Sequence, residues 1–215
     1  MLNPVPVTVL AGGTARFTAF ATGAPPIYYR WLRGGAPISI ETAGVLVITN
    51  VQLPSGSIRV FATNLASGIT GIAMTPSTGV QLTVLPDADH DGISDLWETA
   101  FFGNVNTTNN PNNALEDPDG DGMNNRDEYI AGTNPTNGAS YLKIEGPVIL
   151  GGAQAVLQFE AVSNRNYTLD YRNVLESGTW TNLFAVPSTT NNRTVRLTNS
   201  MTAPQRLYRV TIPAE

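Results

Sequence analysis

The sequence predicts a mainly β chain in three parts. These are a β-sandwich over residues 1–86, a central module of two acidic loops with short helices over 87–139, and a small antiparallel β-sandwich over 140–215. Three observations carry this. Charged residues fill only 13 % of the 215 positions while Gly (20) and Pro (15) are frequent, a composition suited to short strands joined by many turns. Apolar residues alternate in short runs, bounded by turn residues, before residue 86 and again after residue 140. Between them one acidic pattern is written twice, thirty positions apart.

Composition also excludes. Cys is absent, which removes disulfides, thiolate metal sites and cysteine nucleophiles. No stretch approaches the roughly 20 apolar residues of a membrane-spanning helix. The N-terminus lacks a basic-then-apolar leader, so the chain reads as a mature or excised portion of something longer. Asp87 to Glu128 holds eleven acids and one Arg, a net of −10; the whole chain carries −5, so the rest carries +5. That remainder shows no basic groove for nucleic acid.

In the first part, Leu2 to Leu10 is extended, and Pro4 and Pro6 place it at a sheet edge or in a lead-in. Ala15, Phe17 and Ala19 then face one way while Arg16, Thr18 and Phe20 face the other. Ile27 to Leu32 forms a strand that turns at Gly34-Gly35. Leu46 and Ile48 mark the next, then Ile58, Val60 and Ala62, then Val80, Leu82 and Val84. The run GGTARFTAFATGAPPIYYRWLRGGAPI, continued to VQLTVL, resembles an immunoglobulin-like domain of the type common in bacterial surface proteins, with Trp31 at the buried strand-C tryptophan. It departs at the two cysteine positions, Ala19 and Val60, and at the tyrosine corner, where Ile58 stands. The resemblance therefore implies a sandwich held by its apolar core alone. With Trp31 and Val60 inward, Tyr28, Arg30, Arg59 and Phe61 point outward from neighbouring strands. They form an aromatic-basic patch that serves either local packing or contact with a partner.

The central part reads Asp87-x-Asp89-x-Asp91-Gly92-x-x-Asp95-x-x-Glu98, then Asp117-x-Asp119-x-Asp121-Gly122-x-x-Asn125-x-x-Glu128. Both match the twelve-residue calcium loop of the EF-hand type. Calcium takes six to eight oxygens at roughly 2.3–2.6 Å, and alternate residues of a tight loop can aim oxygens at one centre. Positions 1, 3 and 5 supply carboxylates, and position 6 is the Gly that allows the sharp turn. Position 7 supplies a backbone carbonyl (Ile93, Met123), and position 9 acts through a water (Asp95, Asn125). Position 12 is a bidentate Glu (Glu98, Glu128). Two Ca2+ ions are expected. A solvated acidic linker would need neither the Gly nor the Glu in register in both copies. His90, the only histidine, lies at position 4 with its side chain turned away from the metal.

Short helices follow each loop, Asp95 to Phe102 and Asn125 to Ala131, and stop at Gly103 and Gly132. Ile93, Leu96, Trp97 and Phe101, with Met123, Tyr129 and Ile130, would build a small shared core, and Leu115 would anchor the Asn-rich connection. The stretches DGISDLWE and DGMNNRDEYIAGTNPTN resemble bacterial thrombospondin type-3 repeats and, more loosely, dockerin modules. The resemblance fails at position 8, where Ser94 and Asn124 replace an apolar residue, and at the entering helix, which Pro86 and Pro118 disfavour. Both departures imply a structural site rather than a sensor or a cohesin-binding module.

In the last part, strands are expected at Tyr141–Ile144, Ala155–Val162, Asn166–Arg172, Thr179–Val186, Thr194–Leu197 and Leu207–Ile212. NYTLDYRNVLESGTWTNL resembles a small all-β domain found at the C-terminal ends of large secreted bacterial proteins. Trp180 belongs to the core or, alternatively, stacks on a sugar.

No catalytic machinery is visible. The one His lies in an acidic loop, no Ser sits in a nucleophile elbow, and the clustered acids are taken as ligands. The sequence thus predicts a non-catalytic, extracellular or cell-surface protein, stiffened by calcium between two sandwiches. It would act as a surface appendage, filament subunit or stalk, in contact with copies of itself or other surface proteins. The alternative is a polysaccharide-binding accessory region of a secreted polysaccharide-degrading enzyme.

Overall fold

The computed structural model describes residues 3–41, 44–64, 75–103, 114–150, 154–175, 178–201, 203 and 205–213. The chain divides into two compact units, Met1–Thr108 and Asn109–Glu215. The division falls between the two acidic loops, so each unit carries one.

The first unit contains β1 (Val7–Leu10), β2 (Ala15–Thr18), β3 (Ile27–Arg33), β4 (Ala36–Glu41), β5 (Val45–Ile48), β6 (Gly56–Asn64), β7 (Thr75–Pro76), β8 (Val80–Leu85) and helix α1 (Asp95–Phe102). One sheet runs β1-β8-β6-β3-β4 with β7 also on β6, and β2 pairs with β5 in the other. Placing the second and fifth strands opposite the third, sixth and eighth is the wiring of an immunoglobulin-like sandwich. Alternation drives it. Ala15, Phe17 and Ala19 are buried, whereas Phe20 is 59 % exposed. Trp31 is fully buried and its ring centre lies 6.4 Å from that of Phe17. Ala19 and Val60, at the two cysteine positions, are both buried in this core, as is Ile58. A tyrosine–backbone bond exists elsewhere: the Tyr29 hydroxyl accepts the Ala21 N–H at 3.0 Å.

Two elements of this unit escape the sequence pattern. β4 pairs with β3 through the Gly34-Gly35 turn, whose φ angles of 55° and 89° suit glycine. Its Ala-Pro-Ile-Ser start does not alternate and holds a proline, which an edge strand tolerates. β7 is only two residues long. β1 lies parallel to β8, Val7 opposite Leu82 and Leu10 opposite Leu85, so the described part of the leading strand completes its own sheet.

The second unit contains α2 (Asn125–Ala131), β9 (Glu145–Leu150), β10 (Gln154–Ala161), β11 (Tyr167–Arg172), β12 (Thr181–Val186), β13 (Arg193–Ser200) and β14 (Leu207–Thr211). Two antiparallel three-stranded sheets, β13-β10-β9 and β12-β11-β14, enclose Phe159, Ala161, Tyr167 and Val186, with Leu142, Val195, Val210 and Ile212 packed around them. Five of the six expected strands are present within two or three residues of their predicted ends. The sixth is a correction: residues 141–144 form no strand, and the first strand is Glu145–Leu150. Tyr-Leu-Lys-Ile alternates as a strand would, yet Leu142 sends its N–H to the Met123 sulfur at 3.3 Å. The true strand contains Gly146-Pro147, which reads as a turn and is accommodated at the sheet edge.

Candidate metal centre

Each acidic loop is folded by its own aspartates. In the second loop, Asp117 Oδ1 accepts the Gly120 N–H at 2.9 Å and its Oδ2 accepts the Gly122 N–H at 3.0 Å. Asp119 Oδ1 accepts the Asp121 N–H at 3.3 Å, and Asp121 Oδ1 accepts the Met123 N–H at 2.8 Å. The first loop repeats this. Asp87 accepts from the backbones of His90 and Gly92, Asp89 from Asp91 at 3.4 Å, and Asp91 from Ile93 at 2.9 Å. Such side-chain-to-backbone bonds turn the chain two residues at a time. The turns need left-handed backbone at position 4 (His90 φ 63°, Gly120 φ 75°) and at position 6 (Gly92 φ 89°, Gly122 φ 95°). The result is convergence. Carboxylate oxygens of Asp87, Asp89 and Asp91 lie within 4.8 Å of one another, and so do those of Asp117, Asp119 and Asp121.

The loops close in the same way. The position-9 N–H reaches back to the residue before position 1: Asp95 to the Pro86 carbonyl at 3.0 Å, Asn125 to the Glu116 carbonyl at 2.8 Å. Asp95 Oδ1 also accepts the Ala88 N–H at 2.9 Å. Asn125 is fully buried, and Asp127 and His90 are exposed.

Position 8 is where sequence reasoning missed a function. Ser94 and Asn124 are the N-caps of α1 and α2: Ser94 Oγ accepts from Leu96 N–H at 3.3 Å, and Asn124 Oδ1 from Asp127 N–H at 2.8 Å. A Ser or Asn directly before a helix is itself the signal. The helices then place Glu98 and Glu128 on their first turns, both fully buried. Gly103 (φ 75°) and Gly132 (φ 78°) end them as anticipated.

Apolar residues divide. Ile93 is fully buried, Met123 half-buried, and Trp97 packs its ring 4.9 Å from Phe101 and 6.0 Å from Phe102. Leu96 and Ile130 were expected in the small core but are 61 % and 42 % exposed, because they stand on the outer helix faces. Leu115, expected as an anchor, is 79 % exposed, and Ala114 beside it is buried. Residues 104–113 of the connection lie outside the described residues.

Both loops gather and partly bury like-charged carboxylates. Asp87 Oδ1, Asp119 Oδ2, Asp121 Oδ2 and Glu128 Oε2 are buried with no hydrogen-bond partner among the described residues. A buried, unpaired carboxylate oxygen is costly. Burial pushes the Glu98 carboxyl up to about 7, helped by the charges of Asp89, Asp91, Asp95 and Asp87. Burial likewise pushes Glu128 up to about 7, aided by Asp119, Asp121 and Asp117 and opposed by a hydrogen bond from Thr133. Asp87 is raised by burial, against the bonds from Gly92 and His90. A cluster of oxygen donors with no nitrogen or sulfur suits a hard divalent cation such as calcium.

Outside the loops, β3 and β6 set Arg30 opposite Phe61 and Leu32 opposite Arg59. Arg30 and Arg59 are exposed and Tyr28 and Phe61 half-buried, so the aromatic-basic patch shares one outer face as the alternation implied. A shallow cavity of about 230 Å3 there is lined by Leu32, Gly34, Gly35, Ser57, Arg59 and Phe61. Trp180 is half-buried, with the guanidinium groups of Arg172 and Arg209 4.5 and 4.4 Å from its ring centre. Arg209 also pairs with the buried Asp170 at 3.0 Å.

No family model matches the sequence, and no curated protein matches it. Solved structures that match include Sidekick-1 immunoglobulin domains 1–5 (19 % identity, TM-score 0.33, covering 39 % of this chain and 17 % of that one). Fibronectin(III)-like modules of Clostridium thermocellum CbhA match at 15 % identity and TM-score 0.34, covering 39 % of this chain and 94 % of that one. A titin M10–obscurin-like 1 Ig complex matches at 24 % and 0.33, covering 40 % and 92 %. The chain thus spans about a sixth of the length of the Sidekick-1 fragment.

Proposed function

We propose that this chain is a non-catalytic calcium-binding structural or adhesive protein of the cell surface or extracellular space, with one ion in each acidic loop. The observation that carries the proposal is the set of buried carboxylate oxygens on Asp87, Asp119, Asp121 and Glu128 that have no hydrogen-bond partner among the described residues. The ligands in the first loop would be Asp87, Asp89, Asp91, the Ile93 carbonyl, Asp95 through a water, and Glu98. In the second they would be Asp117, Asp119, Asp121, the Met123 carbonyl, Asn125 through a water, and Glu128. A bound cation supplies positive charge where the fold has gathered like charges, and its binding free energy adds to folding. Stiffening the segment between two sandwiches is the role this arrangement suits, as in a stalk or filament subunit. An immunoglobulin-like sandwich is compatible with adhesion, and Tyr28, Arg30, Arg59 and Phe61 offer a contact surface for a second copy or another surface protein.

No helix among the described residues is long and apolar enough to cross a membrane. The polysaccharide-binding alternative relied on an open aromatic such as Trp180, and two guanidinium groups already face that ring.

Calorimetric titration of the chelated protein with calcium tests the proposal. Two ions per chain are expected, and a melting temperature that rises on adding calcium. Asp91→Ala and Asp121→Ala should each remove one site. Absence of binding heat, or a melting temperature indifferent to chelator, would sink the calcium reading. Exchanging Tyr28 and Phe61 for Ser tests the patch: assembly that persists while stability falls would assign it to packing.

A further inference from the structure

We infer that Thr133 is a positioning residue for Glu128, and that through helix α2 calcium binding in the second loop is coupled to the folding of the C-terminal sandwich. This rests on the calcium reading of that loop.

Thr133 lies outside the twelve-residue loop. Its hydroxyl donates to Glu128 Oε1 at 3.1 Å, and the buried Oε2 has no partner among the described residues. The left-handed Gly132 brings Thr133 back over the helix end, and the N–H groups of Gly132 and Thr133 both reach the Glu128 carbonyl, at 2.7 and 3.1 Å. Glu128 is therefore held at its backbone and at one carboxylate oxygen before any ligand arrives. The tail that follows folds against the loop: a Cβ at Gly138 would lie 3.2 Å from the Asp119 carbonyl oxygen.

The same C-terminal end of α2 is gripped by the sandwich. Arg165 Nη2 donates to the Tyr129 carbonyl at 3.1 Å, and the Tyr167 hydroxyl donates to the Ala131 carbonyl at 3.2 Å. That hydroxyl also accepts the Val162 N–H at 3.0 Å. Val162 approaches so closely that a Cβ at Gly132 would stand 2.9 Å from its Cγ1. The Tyr167 ring is buried in the inter-sheet core, 5.4 Å from Phe159. An unbroken series of contacts thus joins the Glu128 carboxylate to the centre of the sandwich. A metal that fixes Glu128 fixes the helix end the sandwich grips, and by linkage a loosened sandwich weakens the metal.

The test uses the full-length chain carrying Asp91→Ala, so that titration reads the second loop alone. Thr133→Val should raise the calcium dissociation constant about tenfold, the usual scale for losing a partner behind a metal ligand, and Thr133→Ser should restore it. Hydrogen exchange in β10 and β11 should slow about tenfold or more on adding calcium, and Tyr167→Phe should reduce that slowing while binding heat persists. In a chain carrying Asp121→Ala, calcium should leave β10 and β11 unchanged. Binding heat with no effect of Thr133→Val, or with exchange in β10 and β11 indifferent to calcium, would overturn the inference alone. No binding heat in the Asp91→Ala chain would overturn the calcium reading of this loop and the inference with it.

Discussion

The first acidic loop places His90 at its left-handed fourth position and Asp95 at its ninth, where the second places Gly120 and Asn125. The first follows β8 after a single residue, Pro86, whose carbonyl receives the closing N–H. The second is secured on its exit side, where Arg165 and Tyr167 take hold of α2. Within the twelve residues, however, the hydrogen bonds run in parallel: positions 1, 3 and 5 each fold the backbone ahead of them, and position 9 closes the turn. The internal plan is local and repeats wherever its residues repeat. The anchoring depends on the sandwich beside the loop and differs between copies.

The largest effect that separates local plan from anchoring is the response of the calcium-free chain to pH. Glu98 and Glu128 hold their protons up to about 7 in the folded chain, against an ordinary value of 4.5. A raised folded-state value means the fold binds the proton more tightly than the unfolded chain does. That stabilisation is complete below about 4.5 and is lost as pH rises through about 7. Each Glu is worth about 3 kcal/mol across this window at order of magnitude. The melting temperature of chelated protein should therefore fall from pH 5 to pH 8, and Glu98→Gln and Glu128→Gln should each flatten the decline. On the calcium reading proposed above, saturating calcium would keep both carboxylates ionised, and the decline should vanish. A flat profile in chelator would show that the glutamates are not confined as the structure places them.

What was legible in the sequence follows the same division. Both helices and their terminal glycines are set by neighbours in the chain, and they were read to the residue. Alternation located the core faces of β2, β3, β6 and β8, and the positions of β10, β11 and β14. Elements stabilised by pairing alone were not legible: β4 and β9 each contain a proline and depend on an edge position that no local pattern announces. Tyr141 to Ile144 was misread for the converse reason, since its alternation is real but Leu142 packs without a strand partner. Ser94 and Asn124 were seen only as departures from an apolar position, although each is a local N-cap signal. Thr133 was quoted within the GTNP tail with no role, because its contact with Glu128 exists only after Gly132 reverses the chain. The grip of Tyr167 on Ala131 spans 36 residues and had no signal at all.

A middle-sized effect should be shared by both loops. Gly92→Ala and Gly122→Ala put a Cβ on backbone at φ 89° and 95°. Each should cost about 1–2 kcal/mol. Among the described residues, no atom beyond its chain neighbours lies within 4 Å of a Cβ built at Gly122, so the cost there is backbone strain. Denaturant midpoints measured with calcium present would check this; a loss in one loop and none in the other would show that the two turns are not equivalent.

The smallest effect addresses the one position where the loops differ in strain. His90 occupies φ 63°, where glycine stands in the second copy, and its exposed side chain forms none of the loop's described hydrogen bonds. A non-glycine residue there is uncommon, though His is among the more tolerant types. Replacing it by Gly removes the strain but adds freedom to the unfolded chain, which offsets part of the gain. The net for His90→Gly should be a stabilisation of about 0.5 kcal/mol, and the reciprocal Gly120→His should destabilise by about 0.5–1 kcal/mol. Urea midpoints of the two variants in saturating calcium measure both. If His90→Gly instead destabilises by more than about 1 kcal/mol, the imidazole contributes to the first loop and is more than a residue carried along in a glycine's place.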